Sequence, residues 1–202
     1  MKRWLWTAML VPCLHAGVIF TNFQSSICCS LGVNNAGANP QSLAGAFIPT
    51  GDYIMTDAQV KVEENGTEVP TFNLAIYNDN GGVPGSSLGS LGTGTAPSAA
   101  TFNIVTLSSP AISLLTGQTY WLVMTPNAGS GVFWAGGGFP VDGDAYASNP
   151  NGAATWLNPA TTCLQFQIDG TQAPTPEPAA LAMLGGGLCG LLLIRRAQAT
   201  RR

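Results

Sequence analysis

The chain has 202 residues, enough for one core of ordinary size, yet only 8% of them are charged, against about 25% in a typical soluble domain. Its 25 glycines and 14 prolines exclude an architecture of long charged helices. Six of the seven cations, Lys2, Arg3, Arg195, Arg196, Arg201 and Arg202, crowd the two ends. Across residues 30–169 Lys61 alone faces nine carboxylates, a net of −8 that repels a phosphate backbone and excludes nucleic acid as a partner.

Lys2-Arg3 opens an apolar run from Trp4 to Phe20, broken only by Thr7 and His15, which is the layout of a secretory signal helix. The signal segment is therefore set at 1–29, with cleavage between Ala16 and Ser30. An uncleaved anchor is the alternative, and Leu10-Val11-Pro12-Cys13 approaches a lipoprotein box, with Pro12 standing where a small residue belongs.

Residues 30–169 have the two-residue period and frequent breaks of antiparallel strands. Phe72, Leu74 and Ile76 alternate with Asn73, Ala75 and Tyr77, and Phe102 to Leu107 alternates less cleanly. Tyr120 to Met124 is apolar throughout and reads as a central strand covered on both faces. Val132–Ala135 and Leu164–Ile168 supply two more. Gly- and Asn-rich breaks such as 79–85, 116–118, 135–138 and 149–152 accept turn geometry. The Gly/Ser-rich stretch from Gly85 to Ser90 reads as a long loop within the domain. The expectation is an all-β, antiparallel β-sandwich, jelly-roll-like, of seven to nine short strands.

A linker, 170–178, ends in Pro176-Glu177-Pro178. An apolar span follows at 179–194, and a basic tail at 195–202 begins with Arg195-Arg196. As a helix the span covers about 24 Å, short of a hydrocarbon core of roughly 30 Å, so it suits transient holding as a short transmembrane helix. Arginines beyond it and Lys2-Arg3 before the first run both belong on the cytoplasmic side, which turns the middle outward.

This tail resembles the PEP-CTERM sorting signal of Gram-negative bacteria in its Pro-Glu-Pro motif, its span and its closing arginines. The resemblance implies recognition by an exosortase, a membrane enzyme with a catalytic cysteine that removes the tail and passes the protein to the cell surface or the extracellular space. A plain tail anchor on a Pro-rich stalk is the alternative. The run Ala75 to Gly85, followed by Leu115 to Val123 and extended by Trp134 and by Ala154-Thr155-Trp156, is similar to the choice-of-anchor R domain of bacterial surface proteins. That resemblance covers most of Gly45 to Gly170, and carries no catalytic residues over.

The chemistry open to the domain is narrow. His15 is the only histidine and lies in the signal segment, which excludes a histidine-based nucleophile relay and a histidine-bearing zinc site in the domain. Carboxylates remain: Asp142 with Asp144, or Glu63 with Glu64, are the pairs that a carboxylate hydrolase would draw on. Asp142-Gly143-Asp144 and Asp79-Asn80 also set oxygen ligands close together as calcium prefers, although turn formation accounts for the same residues without a metal or any other cofactor. Trp134 and Trp156, flanked by Gly-rich turns, are candidates for a platform that stacks the sugar rings of an exopolysaccharide, with burial in the core as the alternative. Outside the cytoplasm Cys28 or Cys29 would pair with Cys163, tying the first segment to the last strand; cleavage after Cys29 would leave Cys163 alone. The function expected on these grounds is an exported, non-enzymatic surface or matrix protein, structural or adhesive. A carbohydrate-binding module is the competing reading.

Overall fold

The computed structural model describes residues 16–24, 26–34, 41–66, 70–97, 101–137, 146–149, 155–157 and 163–174. The described residues form twelve strands and no helix. In chain order these are β1 (Ala16–Thr21), β2 (Cys29–Asn34), β3 (Ser42–Phe47), β4 (Tyr53–Glu64), β5 (Thr71–Asp79) and β6 (Pro84–Thr95). They continue as β7 (Asn103–Leu114), β8 (Tyr120–Pro126), β9 (Gly131–Gly137), β10 (Tyr146–Asn149), β11 (Cys163–Leu164) and β12 (Phe166–Gln172). All described pairings are antiparallel. One sheet runs β1-β12-β4-β9-β11, with β7 on β4 and β2 on β9; the other runs β10-β3-β8-β5-β6.

A shared core joins the two sheets. Phe72, Leu74 and Ile76 of β5 and Leu122 and Met124 of β8 are buried with Val60, Val62, Phe166 and Ile168 of the opposite sheet. The alternation read in β5 thus sets its core face, because successive strand residues point to opposite sides. β8 is buried on both faces, as its apolar composition predicts: Trp121 and Val123 turn outward, onto Ala44 and Ala46. In β4 the buried set changes parity, from Met55 to Ala58, Val60 and Val62. Thr56 is the extra residue of a bulge there, since Met55 and Asp57 are the positions that pair with both β7 and β12.

Phe166 is the aromatic centre. Its ring lies 5.0 Å from Phe20, 6.0 Å from Phe47 and 6.2 Å from Trp134, so one side chain joins β1, β3, β9 and β12. Gly45 makes this possible, because a Cβ there would come within 2.5 Å of the Phe166 ring.

Two differences from the expectation have clear causes. The stretch expected as a loop from Gly85 is strand β6, whose glycines give room to larger neighbours: a Cβ on Gly94 would meet the Phe72 ring at 2.6 Å, and one on Gly89 would meet Ile112 at 2.8 Å. The strands also begin earlier than expected. Ala16–Thr21, inside the segment 1–29 read as signal, pairs with β12 from Ala16↔Thr171 to Thr21↔Gln167, and Ile19 and Phe20 are buried in the core. The apolar run that reads as a signal therefore ends in core residues of the sheet. Residues 1–15, including most of the expected signal helix, and the expected membrane helix at 179–194 lie outside the described residues.

The segment after β1 is tied in by a buried polar knot. The last strand is interrupted at Gln165, whose main-chain N–H donates to the Ala135 carbonyl at 2.8 Å, which takes it out of the ladder with β4. Its side-chain amide donates to the carbonyls of Ser26 and Gly136 and accepts from the Gln24 N–H. Asn22 spans the same break, donating to the Leu164 carbonyl and accepting from the Phe166 N–H, both at 2.7 Å. The Trp134 indole N–H donates to the Gln165 carbonyl at 2.9 Å. The Leu164 and Gln165 carbonyls, the Phe166 N–H and the Trp134 indole would otherwise be polar groups buried without these partners.

Asn22→Ala is expected to cost about 2–4 kcal/mol, because it strands a buried N–H and a buried carbonyl together. A chain begun at residue 30 should lose more, since it drops β1 as well as the knot. Urea unfolding of 16–174, of the same chain with Asn22→Ala, and of 30–174 gives the order of midpoints that checks both.

Candidate functional site

The residues with most to offer a ligand gather where β5 turns into β6. Asp79 ends β5 and closes the turn, both carboxylate oxygens accepting from the Gly82 N–H at 3.2 Å, while the Asn80 N–H donates to the Val83 carbonyl at 2.8 Å. Gly81 and Gly82 have φ of 69° and 87°, a conformation that other residues rarely adopt. Next to the turn, the Asn78 side-chain oxygen accepts from the Ser86 N–H. Asp79 also accepts from the Trp121 indole N–H at 2.8 Å, which anchors the turn to the outer face of the sheet.

Two clefts flank this turn. One, of about 470 Å³, is lined by Asn78, Asp79, Asn80, Pro84, Ser86 and Trp156. Trp156 is half-buried and packs with Tyr77 on the small outer cluster around Trp121. The other cleft, of about 560 Å³, lies between the turn and the loop 115–119, with Leu88, Leu115, Gln118 and Tyr120 in its walls. That loop is held from below: the Tyr120 hydroxyl accepts from the Leu115 N–H at 2.9 Å, and Asp52 accepts from the Thr116 N–H at 2.8 Å and its hydroxyl at 2.7 Å. These two bonds, the backbone one foremost, hold the Asp52 carboxyl below its ordinary value. The first cleft thus offers amide, hydroxyl and carboxylate groups beside one aromatic face, a set suited to hydrogen bonding and stacking.

The other expected site residues are dispersed or differently used. Trp134 is not a platform: it is fully buried, points into the core against Phe166, and has its N–H satisfied by Gln165. Phe133, its neighbour on the opposite face, is the half-buried member of the pair. Asp79 spends its carboxylate on the turn and on Trp121, which agrees with the turn reading of that residue. Asp142 and Asp144 lie outside the described residues, as do Pro176, Glu177, Pro178, Arg195 and Arg196. Among the described residues no three cysteine, aspartate or glutamate side chains cluster as a metal site would require. Glu63 and Glu64 pair with Phe133 and Val132 of β9.

The disulfide expected between Cys29 and Cys163 is opposed by the register. Cys29 pairs with Gly136 on one side of β9, and Cys163 pairs with Gly137 on the other. Two strand spacings, about 9.5 Å, separate their Cα atoms, beyond the roughly 4.4–6.8 Å that a disulfide spans. Cys28 donates its N–H to the Gly136 carbonyl and so lies on the same far side of β9.

A second polar cluster escaped the sequence reading. Asp57 and Asp169 are directly paired across β4 and β12 beside the Thr56 bulge. Asp169 accepts from Gln59 at 2.8 Å and from Gln167 at 3.0 Å, and Asp57 from the Thr56 hydroxyl at 3.0 Å. Partial burial, and then the neighbouring Asp169 charge, raise the Asp57 carboxyl above its ordinary value. Only the register brings these two residues together.

In a comparison with known proteins, no family model matches the chain and no curated protein matches it.

The raised Asp57 fixes the sign of a pH effect. The folded chain holds this proton to a higher pH than the unfolded chain does, so the contribution of Asp57 to stability is fully present below 3.8 and is lost as pH rises through the folded value. Asp57→Asn is therefore expected to stabilise the protein near neutral pH and to leave it unchanged below the carboxylate range. Urea midpoints of the two chains across that pH range check this; a loss of stability at neutral pH would refute it.

Proposed function

We propose that this is an exported protein of the cell surface or extracellular matrix, with a structural or adhesive role and no catalytic one. The observation that carries this reading is the order of the last residues: Pro176-Glu177-Pro178, an apolar span at 179–194, then Arg195-Arg196. In this reading the prolines keep the motif extended for an exosortase, the short span holds the chain in the inner membrane until it is processed, and the arginines stop transfer. The jelly-roll-like sandwich is then the delivered part, between a signal helix and a transmembrane helix that are transient. Two features support it: the last strand among the described residues ends at Gln172, just before the motif, and residues 30–169 contain no histidine. The core positions of Ile19 and Phe20 favour signal cleavage at the beginning of the interval, near Ala16.

Replacement of Pro176-Glu177-Pro178 by three alanines is expected to leave the protein in the inner membrane at its unprocessed mass. Fractionation with mass measurement tests this, and equal release of wild type and variant would defeat the sorting reading.

A second reading, a carbohydrate-binding module for exopolysaccharide, is favoured by Trp156 alone. Its half-buried indole walls a cleft whose other sides are Asn78, Asp79, Asn80 and Ser86, which gives a sugar ring a stacking face and hydrogen-bond partners at one place. Trp156→Ala is expected to reduce binding to the producer's own polysaccharide at least tenfold by titration calorimetry. Phe133→Ala, on the other sheet, should leave it unchanged. Equal binding by all three proteins would remove this reading.

A further inference from the structure

Neighbouring residues of a regular strand point to opposite faces, which keeps adjacent cysteine sulfurs apart. At the entry to β2 they are together: Cys28 stands one residue before the strand, Cys29 is its first residue, and their Sγ atoms are 2.8 Å apart. Both main-chain segments are held. The Cys28 N–H donates to the Gly136 carbonyl at 3.1 Å, and Cys29 is in register with the same glycine, which has no side chain to crowd the sulfurs. Cys28 is exposed and Cys29 half-buried, and the contact between their sulfurs is open to solvent. Their Cα atoms, joined by a trans peptide, are about 3.8 Å apart, closer than in a disulfide between strands, so bond formation at about 2.05 Å closes a tight eight-membered ring.

We propose that Cys28 and Cys29 form a thiol–disulfide site that closes on itself as a vicinal disulfide. The co-reactant is a disulfide, carried by a thiol oxidoreductase or a small molecule. The exposed Cys28 thiolate attacks one sulfur of that disulfide, forms a mixed disulfide and releases the first thiolate of the partner. The Cys29 thiolate then attacks the Cys28 sulfur, which forms the Cys28–Cys29 bond and expels the second thiolate. The chain loses two protons and two electrons, and the partner's disulfide becomes a dithiol. The second step outruns attack by thiols of other molecules because its nucleophile is already in contact. It outruns Cys163 because β9 separates the two. An exposed thiol in an oxidising space would otherwise join passing thiols; here its neighbour intercepts it.

The supply of oxidant in the cell rests on the export reading, whereas the chemistry of the site does not, and two measurements separate them. The first uses the detergent-solubilised full chain with Cys13→Ser and Cys189→Ser, which leaves Cys28, Cys29 and Cys163. Exposure to oxidised glutathione is expected to lower the reactive thiols from three to one and the intact mass by two hydrogens, with no glutathione retained. Cys163→Ser should leave that mass change intact, and Cys29→Ser should retain glutathione on Cys28. Three thiols unchanged, a covalent dimer, a peptide joined to Cys163, or glutathione retained when both cysteines are present would each overturn the proposal. The second measurement alkylates the natural chain in the cell envelope before isolation. A chain that oxidises in solution but is recovered from the envelope fully reduced refutes the export reading and leaves the site standing.

Discussion

The break in the last strand at Gln165 is the point on which the rest of the domain turns. The break lets β11 pair with β9 and β12 with β4, two strands that also pair directly with each other from Val62↔Trp134 to Glu64↔Val132. The cost of such a break is a set of buried main-chain groups without ladder partners, each worth on the order of 1–3 kcal/mol if left unmet. Asn22 meets the Leu164 carbonyl and the Phe166 N–H, the Ala135 carbonyl takes the Gln165 N–H and the Trp134 indole the Gln165 carbonyl, while Gln24 and Ser26 hold the Gln165 side chain. A buried network of this kind rigidifies only when every member is satisfied. The early segment is accordingly part of the core architecture, although it is the part that looks most like a leader.

Much of the fold was legible in the sequence, and the parts that were not have a common cause. β5 and β8 could be read because alternation, or its absence, reports how many faces a strand buries. β6 could not, because glycine and serine carry no hydrophobic period; its glycines are explained by Phe72 and Ile112, which belong to other strands. Ile19 and Phe20 sit in an apolar run that reads as a signal, and periodicity does not divide such a run. Phe133 and Trp134, as strand neighbours, face opposite ways, but which of them faces inward depends on which sheet lies on which side.

The candidate site was legible in kind more than in place. Asp79, Asn80 and Gly81-Gly82 announce a turn by composition, and they form one. That Trp121 would donate to Asp79, or that Trp156 would stand across a cleft from Asn78, required the pairing of β5 with β8 and the position of residues 155–157 on the outer face. The same holds for acids and thiols. Asp57 and Asp169 are more than a hundred positions apart in sequence and adjacent in space, whereas Cys29 and Cys163 share a neighbour and are kept apart by it.

The contact of Gly89 with Ile112 has a bearing on how such a domain could assemble. β6 and β7 each have one ladder partner among the described residues, and both would be open to an incoming strand. Gly89 lies against Ile112 and Pro110, so the border of one sheet leans on the border of the other, and Pro110 has no N–H to donate. Growth by adding a foreign strand is thereby discouraged on this flank. Contact between copies on this flank would then fall to side chains, not to a ladder propagated by backbone pairing.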